Sequence, residues 1–256
     1  MRNRILVLLA GLALVTVPVF AVQPLRSVAS APVALQTPEG GVLYDQNNNV
    51  GTNSITSQNF EAANDAFDGA AADDFQVPSG VTWTVNEVFI PGVYFNGTGP
   101  VASVDVNFYA DSGGLPGAVQ CTASGIVPTD AAGTFNIVLT VPCVLSEGSY
   151  WVSVIANMDL VPGGQWGWTE RTVQSFNPSA WQNPGGGFAT PCTTWGARVG
   201  LCAVGTDLDL AFTLFGTEGT AASLIEVPTL GAWGLAALAL LLAAVSIRLL
   251  RRRRAA

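Results

Sequence analysis

The sequence predicts an all-β protein, an antiparallel β-sandwich of jelly-roll-like form, on three observations. Several segments alternate apolar and polar residues with period two, as strands do when one face is packed and the other wet. Turn-forming clusters, NGTGP, DSGGLPG, TDAAG and SEG, stand between those segments. No helical stripe of any length occurs between the two ends of the chain. The reading divides the chain into a signal peptide at 1–21, a polar arm at 22–70, the sandwich at 71–217, a linker at 218–226 and a C-terminal signal at 227–254.

Residues 1–21, MRNRILVLLAGLALVTVPVFA, have a basic start, an apolar core and small residues at the end. Val19-Phe20-Ala21 fits a small-x-small cleavage site, so the mature chain is expected to begin after Ala21 and to be exported. Residues 22–70 are weakly patterned and rich in Asn, and they are expected to form a loop or loosely attached arm with one short strand at 41–44.

The sandwich pattern begins at Asp73. Along 101–109, Ala102, Val104, Val106 and Phe108 share one face, opposite Ser103, Asp105 and Asn107. Phe135, Ile137, Leu139 and Val141 repeat the device, as do Tyr150, Val152 and Val154, and then Leu208, Leu210, Phe212 and Leu214. One strand breaks step: Trp83 and Val85 share a face, but the apolar set then moves to Val88 and Ile90. An extra residue at Asn86-Glu87 restores the register, so a β-bulge is expected there.

Four cysteines, Cys121, Cys143, Cys192 and Cys202, fall in this region. An exported chain is oxidised, so disulfides are expected, with three connectivities open. Cys121 and Cys143 end two candidate strands on either side of TDAAG, and Cys192 and Cys202 bracket a short loop. Those two pairings are favoured.

The C-terminal region carries the most specific pattern. Leu230 to Ile247 is uncharged over 18 residues, about 27 Å as a helix at ~1.5 Å per residue, close to the thickness of a bilayer core. A transmembrane helix is therefore expected over 230–250. Arg248 and Arg251 to Arg254 follow it and place the C-terminus in the cytoplasm and the acidic domain outside. Val227, Pro228, Thr229, Leu230, Trp233 and Gly234 precede the apolar run. Motif, span and Arg cluster together resemble the IPTL-CTERM sorting signal of Gram-negative bacteria, a relative of PEP-CTERM tails, with Val227 where Ile is usual. The resemblance implies an exosortase-type transpeptidase as partner, cleavage near the motif, and transfer of the exterior domain to the cell surface or extracellular matrix. AADDF, NFYADSGGLPG, YWVSV, GGQWGW and DLAFTLFGT also resemble the exterior domains that accompany such tails, which implies a secreted β-sandwich and no particular activity.

Charge and composition exclude whole classes of function. There is no His and no Lys, and between the arginines of the two ends only three, Arg26, Arg171 and Arg198, face all eighteen acids, a balance of −15. Such a surface repels nucleic acid. Nucleophilic triads, His-based metal sites and Schiff bases lack their residues. A two-carboxylate glycosidase is the one mechanism that can be built, from Glu87, Glu147 or Glu170, although no spacing singles them out. The leading expectation is a non-enzymatic surface or matrix protein. The alternative is a carbohydrate-binding module with exopolysaccharide as ligand, using Trp166, Trp168, Glu170 and Trp181 in the aromatic stretch 163–188, where flat rings among amides suit a sugar. The competing reading makes these indoles core, with Glu170 and Arg171 solvated. No cofactor is expected unless Asp73, Asp74, Asp207 and Asp209 converge on calcium, as neighbouring first and last strands would allow. The competing reading there is a solvated acidic edge.

Overall fold

The structure is a computed structural model that describes residues 40–220 and, within 236–248, helical residues at 236, 239–245 and 247–248. The strands are antiparallel with one two-residue exception, as an all-β sandwich requires. They begin with β1 (Gly41–Asp45), β2 (Val50–Thr56) and β3 (Gln58–Asn59), followed by a 3₁₀ turn at Ala62–Phe67. The long β4 (Ala70–Ile90) leads to β5 (Gly92–Phe95), β6 (Ser103–Asp111), β7 (Pro116–Ile126) and β8 (Thr129–Ala131). The second long strand, β9 (Thr134–Asn157), is followed by a helical turn, α1 (Leu160–Gly163), and β10 (Gln165–Arg171). β11 (Ala180–Gln182), β12 (Gly196–Ala197), β13 (Asp209–Leu210) and β14 (Thr213–Thr220) complete the chain order.

The main sheet runs β1-β14-β4-β9-β6-β7, and a smaller sheet runs β13-β10-β2 with β5 also on β10. The two long strands turn a corner together. Phe75 and Trp83 lie on the same strand, yet their rings stack at 6.1 Å. Eight extended residues would separate them by ~27 Å at ~3.4 Å each, so β4 must fold back on itself. The corner lies at Pro78-Ser79-Gly80, where Gly80 has φ +79°. On β9 the matching bend is at Glu147-Gly148, between the pairs Val77 with Gly148 and Thr82 with Ser146. The Glu147 carboxylate accepts hydrogen bonds from the Ser79 hydroxyl and the Gly80 amide, each at 2.8 Å, and pins the corner. Phe75, Phe108, Trp83, Tyr150 and Phe212 meet inside the fold so formed.

The expected bulge is present. β4 advances from Val85 to Glu87 while β14 advances one residue, Gly216 to Phe215, leaving Asn86 extra. Val85, Val88 and Ile90 are then all buried. The alternation holds through Val104, Val106, Phe108, Phe135, Ile137, Leu139, Val152 and Val154. It fails at its ends: Ala102 and Val141 are exposed, and so is Leu208, which precedes the last strands. Val141 lies where β9 advances five positions, from Val138 to Cys143, against two on β4, from Glu87 to Val85, so the face is lost locally.

Residues 41–70 correct the expectation of an arm. They supply β1, β2 and β3 to the two sheets, and the sandwich runs from Gly41 to Thr220 instead of 71–217. Their inward residues are polar, which hides them from a hydrophobic pattern. Ser57 donates to the Val154 carbonyl at 2.6 Å and accepts from the Ala71 amide. Gln58 donates to the Met158 and Gly164 carbonyls and accepts from the Trp166 amide at 2.7 Å. Buried polar groups are tolerated when paired in this way.

Cys121 pairs with Cys143, with Cα atoms 5.8 Å apart, and Cys192 with Cys202, at 5.3 Å. These are the favoured pairings. The first ties edge strand β7 to β9, and the second closes the segment that carries β12.

Candidate functional site

The aromatic stretch was the first candidate, and its indoles are core. Trp166, Trp168 and Trp181 are 0%, 0% and 1% exposed. In β10, Trp166 and Trp168 share the inner face, as residues two apart on a strand do. Their ring N–H groups are spent on backbone carbonyls: Trp166 to Gly133 and Trp168 to Ala211 at 2.7 Å, and Trp181 to Thr56 at 2.9 Å. Trp166 stacks on Phe135 at 4.8 Å. Gly92 passes directly over it, where a Cβ would stand 2.5 Å from the indole nitrogen. The two-indole sugar platform is therefore corrected to a packing cluster, because none of these rings offers a face to solvent. The exposed rings are others: Phe176 faces solvent, and Phe67, in T-shaped contact with Phe188, borders a hollow of about 210 Å³ with Phe60 and Leu160.

Glu170 and Arg171 are not solvated either, being 0% and 6% exposed. Adjacent on β10, they point to opposite sides and find different partners. Glu170 meets the fully buried Arg198 at 2.5 Å. Its carboxylate also accepts from the Thr206 hydroxyl at 3.0 Å and from the Thr206 and Asp207 amides. Burial alone would raise the Glu170 pKa; the Asp207 amide, Arg198 and Thr206 together hold it below its ordinary value. Arg198 also donates to Ser179 Oγ at 2.8 Å and to the Asp207 and Asp209 carbonyls. Gly205, at φ +78°, lets the chain pass against this pair; a Cβ there would collide with Arg198 Nη1 and Glu170 Oε1. Of the three glycosidase candidates, Glu170 is committed to this ion pair and Glu147 to the β4 corner.

The aspartates separate into two groups. Asp73, Asp74 and Asp209 are buried, at 0%, 1% and 0% exposure, whereas Asp207 is only half-buried. Successive β4 residues point to opposite faces, so Asp73 turns inward, like Phe75, and Asp74 turns outward, like Ala72. Asp73 accepts from the Leu210 amide at 2.6 Å, Gln46 Nε2 at 2.7 Å and the Asp74 amide. Asp74 accepts from Asn177, from the backbone at 3.0 Å and the side chain at 2.7 Å. Asp209 accepts from the Ser175 amide at 2.5 Å and lies 3.5 Å from Arg171. Burial, with lesser repulsion from neighbouring acids (Asp111 in the case of Asp74), raises Asp73 well above the usual carboxylate range and pushes Asp74 and Asp209 up to about 6. Among the described residues no three acids or cysteines come together in a way that could hold a metal ion. The four-aspartate calcium site is corrected accordingly: Asp73 and Asp74 point to opposite faces of β4, and backbone or side-chain amides take at least one oxygen of each buried acid. The reading of a solvated acidic edge fails for Asp73, Asp74 and Asp209, which are interior.

The sorting-motif residues Val227, Pro228, Thr229, Leu230, Trp233 and Gly234 lie outside the described residues, as does the signal peptide at 1–21. Farther along, Leu240, Leu241, Leu242, Val245 and Ile247 are helical and more than half exposed. Among the described residues no helix is long and apolar enough to cross a membrane.

No curated protein and no solved structure matches the chain. Residues 227–254 match the IPTL-CTERM motif. The chain thus carries the C-terminal signal of a sorted surface protein, and that signal points to an exosortase-type sorting enzyme as its partner.

Proposed function

We propose that the chain is an exported, non-enzymatic surface protein of a Gram-negative bacterium. Its signal peptide is removed after Ala21. It is held in the inner membrane by the 230–250 span with the C-terminus in the cytoplasm, and an exosortase-type transpeptidase then acts near residues 227–234. The product is the β-sandwich, displayed at the cell surface or in the extracellular matrix as a structural or adhesive unit.

The observation that carries this reading is the motif match at 227–254. A Pro ahead of the apolar run supports it physically, because Pro228 cannot extend a helix upstream and favours an accessible extended segment there. The exposed leucines of the described C-terminal helix suit a lipid environment. The lack of His and Lys, together with carboxylates committed to backbone amides and arginines, supports a role without catalysis.

Cell fractionation with Pro228→Ala and Trp233→Ala variants tests the reading. Both variants are expected to stay in the inner membrane while the parent chain reaches the surface. Surface accumulation of both variants at parental levels would refute sorting through this motif.

A further inference from the structure

The loop between β10 and β11 rests on a cluster of buried acids that its own exposed side does not reveal. Thr172, Val173, Gln174 and Phe176 face solvent. From its inner side the loop sends the Ser175 amide to Asp209, and the Asn177 amide and side chain to Asp74. Phe176 between them sits at φ +55°, a conformation non-glycine residues rarely adopt, so these contacts hold a strained turn. Each of the two carboxyls has a second oxygen, Asp74 Oδ1 and Asp209 Oδ1, that is buried without a hydrogen-bond partner. A buried, unpaired anionic oxygen is far costlier than a neutral carboxyl in the same place.

The surrounding charges relieve that cost only in part: Arg171 and Arg198 favour the charged form of Asp209, but burial outweighs them. Asp73 on β4 adds a third carboxyl, and Asp111 at the end of β6 adds further negative potential at Asp74. Tyr44 of β1 is a phenol whose own ionisation is suppressed by burial and by Asp73. Arg198 is paired with Glu170. Arg171 remains, and it divides its donors among Asn48, Ser175, the Val173 carbonyl and, at 3.5 Å, Asp209. When Asp74 and Asp209 ionise, water is the solvation they lack, and the Thr172–Ser179 loop is the exposed segment bonded directly over them.

We propose that Asp74 and Asp209 form a proton-operated clasp on the loop at 172–179, closed over the acid cluster in mild acid and opening as the two carboxyls ionise. The sign follows from linkage. Both groups, pushed up to about 6 by burial, bind protons more tightly when the loop is closed than when it is open to water. Closure is therefore strongest below the ordinary aspartate range and weakens as pH rises through about 6. Opening would uncover two acids, Asp74 and Asp209, at a surface that is otherwise Thr, Val, Gln and Phe.

The test is amide hydrogen exchange on the intact chain in mild detergent, read as protection factors at pH 5 and pH 8. Protection across residues 172–179 should fall at least tenfold over that interval while that of residues 152–156 in β9 stays constant. In the Asp74→Asn/Asp209→Asn variant, which keeps an acceptor for each amide, the fall should vanish. A flat profile in the parent chain, or an equal fall in the variant, overturns the clasp. If the variant does not fold, carbon-detected titration of the Asp74 and Asp209 carboxyls in the parent decides. Midpoints that coincide with the loss of protection support the clasp, and midpoints near the ordinary aspartate range overturn it.

Discussion

Replacing Arg198 with Met should be the most damaging single change outside the apolar core. Arg198 is wholly buried and binds Glu170, Ser179 and the carbonyls of Asp207 and Asp209, so it joins β10, the segment after β12 and the entry to β13. Met fills much of the stem volume, so the loss is chiefly electrostatic. Breaking one side of a buried ion pair costs about 3–5 kcal/mol, because the remaining charge is stranded. Glu170 retains the Thr206 and Asp207 donors, which argues for the lower part of that range. A domain of this size loses roughly 2–4 °C of Tm per kcal/mol, so a fall of about 6–15 °C is expected. Near-ultraviolet circular dichroism at pH 7 reads it directly, since the buried indoles Trp166, Trp168 and Trp181 report on loss of the folded core. Glu170→Gln should cost much less in the Arg198→Met background than alone, because the charge to be stranded is then gone. A Tm loss under about 3 °C, on that same scale, or strict additivity of the two changes, would refute the account of the pair as a coupled buried unit.

Trp168→Ala should lower stability by about 3–5 kcal/mol through the cavity it leaves, with no specific change in affinity for exopolysaccharide; selective loss of glycan binding at unchanged Tm would restore the sugar reading. The melting temperature should peak near pH 5. The raised Asp74 and Asp209 contribute stability in acid that is lost as pH climbs through about 6, and Asp73, raised well above its ordinary value by burial, acts in the same direction; Glu170, Glu61 and Glu147, held low by their partners, contribute stability that is lost as pH falls below the ordinary carboxylate range. A Tm that rises steadily from pH 5 to pH 8 would contradict the burial of the three aspartates. Non-reducing peptide mapping should find Cys121 with Cys143 and Cys192 with Cys202, each worth about 2–4 kcal/mol against the reduced chain; a peptide linking Cys121 to Cys192 would overturn the β7–β9 adjacency.

What the sequence revealed follows from which interactions leave a period. Strands β6, β9 and β14 pack apolar side chains on one face, so Val104, Val106 and Phe108, or Phe212 and Leu214, announce themselves. The Asn86 bulge was legible because it shifts that period by one. The segment of β2 and β3 was not, because its buried positions include Ser57, between the two strands, and Gln58, whose burial depends on carbonyls about a hundred residues away. The corner at Pro78-Ser79-Gly80 was hidden for a related reason: the pattern shows where a strand faces and not whether it folds over its own length. The indoles illustrate the opposite failure. Gly, Gln and Asn around Trp166 and Trp168 suggested a wet groove, yet Gly167 admits Ser54 and Phe95 at the outer face while the rings turn inward. The buried acids were misread because an aspartate paired to backbone amides is indistinguishable in sequence from one at a solvated edge. Arg198, the hub of the Glu170 network, carried one available signal: it is one of only three arginines between the termini.

The central claim, that the chain is sorted through residues 227–254, is tested most directly by the mass of its surface form. Protein released from the cell surface should begin after Ala21 and end upstream of the apolar run that starts at Leu230, with no peptide from 230–254 in stoichiometric amount. A surface form whose intact mass includes the tail through Arg254 would contradict the claim.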